Sequence, residues 1–458
     1  MPTPDLAPVE EAFVPNAFIA PAIDPPFWLL AARSPSSQIE GWPRAMFEAD
    51  AYRPPFPGMP LFIMQPEAIR TVLLDAAEDF PQGDLFKRMM RPAWGNGLLT
   101  ADDRNWRWQR RAASPAFRPT EIVGLAPLIS RVAEAAVERW TETGRADRID
   151  MASEMARLTF DIILDTMLSR GEDFDRAAMR ARMQAFFSDI GRMRLSYFLA
   201  PDAYHASRPE TRSAQRQPLV DAIRLMIARR RGAARRSDLV DLLLHARDPE
   251  TGLGLDDDLL ADNLLGFILA GHETTAIALT WALYLVAAHP RTAARIRDEV
   301  AQVAGTDSIG AAHVDRLVFT RQVLSETLRL YPPAFLITRV SRKTTELAGV
   351  SVKAGSRINI PVYALHRRRG YWPNPDTFEP DRFSPSAEPP DRYVYLPFGG
   401  GPRICLGAVF AMMEAVTVLA SLVRSADFTV TPGHRVWPVA KLALRPAGGL
   451  PMSVVRRD

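Results

Sequence analysis

Phe398-Gly399-Gly400-Gly401-Pro402-Arg403-Ile404-Cys405-Leu406-Gly407 decides how the chain is read, because it holds the sole cysteine among 458 residues. A lone cysteine cannot close an intramolecular disulfide, so its sulfur is inert packing, a nucleophile or a metal ligand. Four glycines and a proline make a side-chain-poor loop that lets something flat approach the backbone. Residues 406–420 are apolar and helix-compatible. That sets Cys405 near a helix N-terminus, where free N–H groups and the dipole favour a thiolate. Arg403, two residues earlier, is a cation placed to meet a carboxylate of a bound group. These surroundings favour metal ligation. A nucleophile would need a partner base, and the sequence beside Cys405 offers none.

Working outward, 47% hydrophobic residues suffice for a large core, and 24% charged is ordinary for a soluble chain. Lys and Arg number 56 against 53 Asp and Glu, a net charge of +3, too small to argue for nucleic acid. One cysteine fits a reducing compartment and excludes a disulfide scaffold. Residues 1–23 carry Asp5, Glu10 and Glu11 and no basic n-region, so they do not read as a signal peptide. Prolines at 15, 21, 25 and 26 break the apolar stretches well short of a membrane span. The arginine-rich run at 229–236 lacks interleaved aromatics and reads as a solvated helix end rather than a nucleic-acid patch.

Residues 43–90 alternate short apolar runs with turns, which predicts a small sheet near the start. A helical period then takes over, with helices expected at about 120–141, 151–168, 174–190, 215–230, 238–246, 257–289, 291–304 and 318–331. Residues 337–365 return to strand-like alternation. The expected architecture is mainly α with a small β portion. One domain spans 43–458, and 1–42 form an N-terminal extension.

Two further motifs carry chemistry. In the long apolar helix sits Ala270-Gly271-His272-Glu273-Thr274-Thr275, and polar groups inside a buried helix are costly unless they serve something. Gly271 leaves room beside the backbone for a small ligand. The Thr274 hydroxyl can bond back to a carbonyl or turn to a bound species, and the Glu273 carboxylate can pass protons. A zinc-protease reading fails because position 276 is Ala276, not histidine. Glu326 and Arg329 lie three apart on one helical face before Tyr331-Pro332-Pro333, and Arg382 in Pro380-Asp381-Arg382-Phe383 is the natural third member of a buried charge cluster.

Together, Phe-x-x-Gly-x-Arg-x-Cys-x-Gly, the Ala-Gly-x-Glu-Thr-Thr segment and Glu-x-x-Arg followed by Pro-x-Arg-Phe resemble the cytochrome P-450 family of haem–thiolate monooxygenases. The resemblance implies haem b between a long central helix and the cysteine loop, with Cys405 as the iron ligand. It implies Thr274 and Glu273 as the proton-delivering pair. Phe398, Gly401 and Ala270 fall at cofactor-contacting positions. Trp106, Arg110, Arg339 and Arg403 are implied as donors to the haem carboxylates, with His366 as a further candidate. The implied activity is hydroxylation or epoxidation of a hydrophobic small molecule with O2. Electrons would come from a separate protein such as a ferredoxin with its NAD(P)H reductase. Microsomal relatives carry a membrane anchor, so a soluble, cytoplasmic bacterial form is expected here. A peroxide-driven oxygenase on the same fold and a haem-binding sensor or electron carrier stand as alternatives. The substrate pocket is expected from residues 84–96, Phe186, Phe187, Leu265, Phe267, Ala270, 334–337 and 449–452. A basic patch at 104–118, including Arg107 and Arg111, is expected to meet the electron donor.

Overall fold

A computed structural model gives the fold and describes residues 13–457 apart from 25, 27–32, 35, 143–146, 168–177, 180, 184–215, 233, 235–237 and 249. The helical body contains α1 (Asp84–Trp94), α2 (Asp103–Ala113), α3 (Ala126–Thr141), α4 (Met151–Met167), α5 (Arg216–Arg231), α6 (Leu239–Leu244), α7 (Asp257–Ala288), α8 (Pro290–Ala304), α9 (Val318–Leu330) and α10 (Ala408–Ser425). The strands are β1 (Ala51–Tyr52), β2 (Leu61–Ile63), β3 (Ile149–Asp150), β4 (Ile337–Val340), β5 (Thr345–Leu347), β6 (Val350–Val352), β7 (Arg357–Ile360), β8 (Ala426–Val430), β9 (Pro438–Ala440), β10 (Leu444–Pro446) and β11 (Pro451–Arg456).

Helix α7 is the axis. Asp256 caps it, its side chain accepting from the Leu259 N–H at 2.7 Å, and Asp257 and Asp258 complement the dipole in the first turn. It is apolar on nearly every side, which is what a helix surrounded by protein requires. Helices α4, α5, α9 and α10 pack around it. Both α7 and α10 are long and apolar enough to cross a membrane, but two thirds of each apolar stretch is buried inside the protein, as for core helices.

The expected early sheet is partly there. Strands β1 and β2 join β7 and β4 in the order β1-β2-β7-β4, with β2 and β7 parallel. Most of the remaining 66–90 stretch is helical, because Pro66 starts a short helix at its first turn and the apolar residues behind it sit at helical spacing. Residues 337–365 form β4 to β7 and end in a helical turn, Val362–Leu365. The helix expected at 174–190 falls largely outside the described residues.

The segment near the N-terminus lies on the body. The Phe378 N–H donates to the Phe13 carbonyl at 3.0 Å, and the Tyr331 hydroxyl donates to the Asn16 carbonyl at 2.6 Å. Arginines in the last turn of α5 are tied by acids. Arg230 is buried and meets Asp238 at 2.7 Å, and Arg231 pairs with Asp257.

Candidate active site

The cysteine loop is fastened from behind before anything faces the cavity. Arg329 is completely buried and uses all its nitrogens. Its Nε and Nη2 donate to Glu326 at 2.6 and 2.7 Å, and its other bonds go to the carbonyls of His366, Pro375 and Thr377. Glu326 accepts from the Glu379 N–H at 2.9 Å and faces Arg382 at 3.7 Å. A buried pair of this kind is tolerable only with its remaining donors and acceptors satisfied, and here they are. The sequence expectation of a three-member structural cluster holds.

His366 is a correction. It is fully buried, outside the cavity, with both ring nitrogens engaged. Nδ1 faces the Arg329 carbonyl at 3.2 Å, and Nε2 accepts from the Leu396 N–H at 2.9 Å. It links the Glu326–Arg329 cluster to the cysteine loop and has no nitrogen left for a haem carboxylate. Burial, then the Arg329 charge, holds its imidazole down to about 3, so it is neutral.

In the loop itself, Gly399 and Gly401 have φ of +73° and +66°, backbone only glycine adopts without strain. A Cβ on Gly401 would overlap the Leu73 carbonyl, so Gly401 holds the loop against the layer behind it and does not line the cavity. The Cys405 N–H donates to the Phe398 carbonyl at 2.9 Å, which closes the loop. Cys405 retains accessible surface although protein surrounds it, because that surface faces an internal cavity of about 480 Å³. Burial pushes the thiol up, while the Gly407 N–H and the Arg110 charge favour the thiolate.

Across the cavity runs α7. Ala270 and Thr274 are exposed residues in the middle of an otherwise buried helix, and both line the cavity. The Thr274 hydroxyl donates back to the Ala270 carbonyl at 2.8 Å. Glu273 does not line the cavity; its carboxylate pairs with Arg445 on β10. Gly271 does reach the cavity, but the space of its missing Cβ is taken by Ile163 of α4, whose Cδ1 would sit 2.7 Å away. The glycine therefore serves helix packing.

Three guanidiniums enter this apolar chamber. Arg110 donates to the Ile404 carbonyl at 2.7 Å, and Arg339 to the Thr338 carbonyl at 2.9 Å. Arg403 donates to Gln82 at 3.3 Å and to the Ala101 carbonyl at 3.1 Å, and lies 4.5 Å from the Trp106 ring centre. Among the described residues none of the three forms an ion pair. Burial depresses all three, Arg339 to about 10 with Arg403 adding repulsion. Unpaired cations around an apolar space next to an open thiol are the donor set that a flat, dicarboxylate iron macrocycle requires. The residues fit haem.

The cavity also takes Phe86, Trp94, Phe267, Ala334, Leu336 and Ile337, as the sequence led us to expect. Leu265 does not line it and packs into the core, and 449–452 belong to the strand region around β11. Phe186 and Phe187 lie outside the described residues. Sequence reasoning missed Gln82, Asp262, Asn263, Glu414 and Arg445. The signal for Asp262, Asn263 and Glu414 was present, as polar residues inside apolar helical runs; Gln82 and Arg445 carried none.

The cytochrome P450 family profile matches residues 58–450. The chain belongs to the cytochrome P450 family. The cyclooctatin synthase of Streptomyces melanosporofaciens is 34% identical over 84% of each chain. The cyclooctat-9-en-7-ol 5-monooxygenase of the same organism is 32% identical over 80% of each. A cytokinin hydroxylase of Arabidopsis thaliana is 32% identical, covering 78% of this chain and 71% of its own. The crystal structure of the cytochrome P450DA haem domain superposes with a TM-score of 0.76 at 25% identity, over 89% of this chain and 90% of that one. The chain is thus a P450 monooxygenase, and its prosthetic group is haem b.

Proposed function

We propose that this P450 inserts one oxygen atom from O2 into a hydrophobic small molecule, as a hydroxylation or epoxidation, with electrons from a separate redox protein such as a ferredoxin. The observation that carries this reading is a cavity-facing thiol opposite the exposed Ala270–Thr274 strip midway along a core helix. When bound, haem supplies the O2-activating redox chemistry, which a thiolate ligand promotes by electron donation.

Cys405 is the ligand, with the Gly407 N–H and Arg110 holding its negative charge. Arg110, Arg339, Arg403 and the Trp106 indole hold the two carboxylates. Phe398 and Ala270, which both line the cavity, would contact the bound group. Thr274 holds and moves a proton at its Oγ1, and Glu273 resupplies it only when released from Arg445. The apolar lining excludes water and selects an apolar substrate. The relative named for cyclooctat-9-en-7-ol supports a cyclic, unsaturated alcohol as the class to try first. We further propose a soluble, cytoplasmic protein.

The test is the reduced carbon monoxide spectrum. Wild type shows the strongly red-shifted Soret band of thiolate ligation, and Cys405→His keeps haem without that band. An unchanged band in the variant would remove Cys405 as ligand.

A further inference from the structure

Residues 95–98 leave the C-terminal end of α1 and run across the cavity toward α2. Among the described residues, the Asn96 and Leu98 N–H groups meet no backbone carbonyl. They are bonded instead to consecutive residues of α7. Asn96 donates to Asp262 Oδ2 at 2.7 Å, and Leu98 donates to Asn263 Oδ1 at 2.9 Å. The Asn263 amide donates to Gln109 Oε1 on α2 at 3.0 Å, and Gln109 Nε2 donates to the Asn96 carbonyl at 3.3 Å. The same Asp262 carboxylate pairs with Arg216, the first residue of α5.

The fit is close enough to need glycine. Gly95 has φ +60°, and a Cβ there would overlap the Asp262 carboxyl. A Cβ on Gly97 would lie 3.0 Å from the Asp262 carbonyl. Trp94, Gly97, Leu98, Asp262, Asn263 and Gly266 all line the cavity, so this junction is part of its wall.

A single, nearly buried carboxylate thus holds two separate chain segments to α7. The side chains of Asp262 and Arg216 are only 12% and 10% exposed. A buried ion pair nets little, because its attraction is set against the desolvation of both ions. Parting the segments lets water reach both charges, so opening recovers that desolvation. An apolar seam of the same area would have no such compensation. The chemistry is that of a reversible fastening.

We infer that Asp262, with Asn263 and Arg216, is a positioning latch whose release sets the rate at which small molecules pass between cavity and solvent. The inference rests on reading the cavity as the haem and substrate chamber.

The experiment mixes 4-phenylimidazole with the haem-loaded enzyme and follows the Soret shift. Arg216→Ala leaves the Asn96 and Leu98 bonds in place, Asp262→Asn keeps an acceptor for Asn96, and the doubly changed Asp262→Arg, Arg216→Asp restores the pair reversed. Both single variants are expected to raise the association and dissociation rate constants together, by at least about threefold, with Kd moving less than either. The double variant is expected to move back toward wild type. Wild-type rates in both single variants would overturn the latch, as would a change in Kd alone. Should Asp262→Asn fail to hold haem, Arg216→Ala decides alone. The carbon monoxide band of wild type separates this test from the proposed function: a missing band sinks the haem–thiolate reading, whereas a normal band with unaltered exchange rates sinks only the latch.

Discussion

Thr274 is a hydroxyl that has turned inward on its own helix, donating to Ala270 while its side chain stays exposed to the cavity. A threonine bonded to the carbonyl four residues back is common in helices and by itself carries no function. What distinguishes it is the exposed strip it shares with Ala270 midway along a helix whose central turns are otherwise enclosed by protein. Thr274→Ala removes the hydroxyl proposed to carry protons without touching the thiol or the arginines. Substrate affinity, read from the spectral shift, is expected to stay within about twofold. Product formed per NAD(P)H consumed is expected to fall by about tenfold, less than the roughly 10²–10⁴-fold a positioned general acid contributes, because water can take the place of the hydroxyl. Equal coupling in the variant would leave Thr274 as a helix residue.

At the scale of elements, α7 is held to β10 through Glu273 and Arg445. The pair is half exposed on the arginine side and contributes about 0–1 kcal/mol to stability. Its consequence is for position: paired, the carboxylate stays out of the cavity. Two substitutions separate holding from proton supply. Glu273→Gln is expected to slow turnover by about tenfold or more if this carboxyl feeds Thr274. Arg445→Ala frees the carboxyl and is expected to leave turnover at or above that of wild type, with an unfolding midpoint close to the native one. Equal turnover losses in both variants would make the intact pair, rather than the carboxyl, the thing that matters. The second polar intrusion into the core is Glu414 on α10, completely buried, with neither carboxyl oxygen meeting a donor among the described residues. The neighbouring Thr275 hydroxyl gives its proton to the Gly271 carbonyl at 2.9 Å. Burial pushes Glu414 well above its ordinary 4.5, Thr275 acting against this, so the carboxyl is protonated and can donate to the Thr275 oxygen.

For the whole molecule, three buried titratable groups combine into a pH profile. His272, held down to about 4 by burial, and His366, held down to about 3, are neutral in the fold and ordinary at 6.5 when unfolded. Their contribution is intact above 6.5 and is lost as pH falls toward those depressed values. Glu414 has the opposite sign: its contribution is intact below 4.5 and declines as pH rises toward its raised value. Each group changes stability by about 1.4 kcal/mol per pH unit within its window. Between 4.5 and 6.5 the two histidines outweigh the single carboxyl, and above 6.5 only the carboxyl acts, so these groups put the maximum near pH 6.5. Urea unfolding of the haem-loaded protein at about pH 5, 6.5 and 8 checks this. Glu414→Gln is expected to flatten the alkaline side, and a profile that still declines as before would refute a protonated Glu414.

The surface charges revise the expected docking patch. Arg107 faces Glu78 at 2.7 Å, and Arg111 faces Asp248 and Glu250 at 2.9 and 3.1 Å. Much of their field is cancelled locally, whereas Arg104 and Arg118 are exposed and form no ion pair among the described residues. Reduction by an acidic ferredoxin is expected to slow as salt shortens the screening length to about 10 Å at 0.1 M. Arg118→Glu is expected to slow it more than Arg111→Glu. Salt-independent reduction would place docking elsewhere.

The cysteine loop, the polar break in a long apolar helix and the Glu-x-x-Arg pair were legible because each is a local contradiction. Glycines crowd beside a lone thiol, hydroxyl and carboxyl interrupt an apolar run, and charges precede a proline stop. Helix positions followed from apolar periodicity, which is a property of neighbouring residues. What periodicity cannot express is which distant residue completes a polar group. His366 precedes three arginines in sequence, yet its nitrogens belong to Arg329 and Leu396. Gly271 and Gly401 advertise free space that Ile163 and Leu73 fill. Glu273 reads as a cavity acid until β10 brings Arg445 to it. The sequence by itself determined the chemistry, since the thiol, its loop and its helix are contiguous or regularly spaced. Tertiary structure alone decided which polar groups face the cavity, because a buried donor or acceptor takes whichever partner packing brings within about 3 Å.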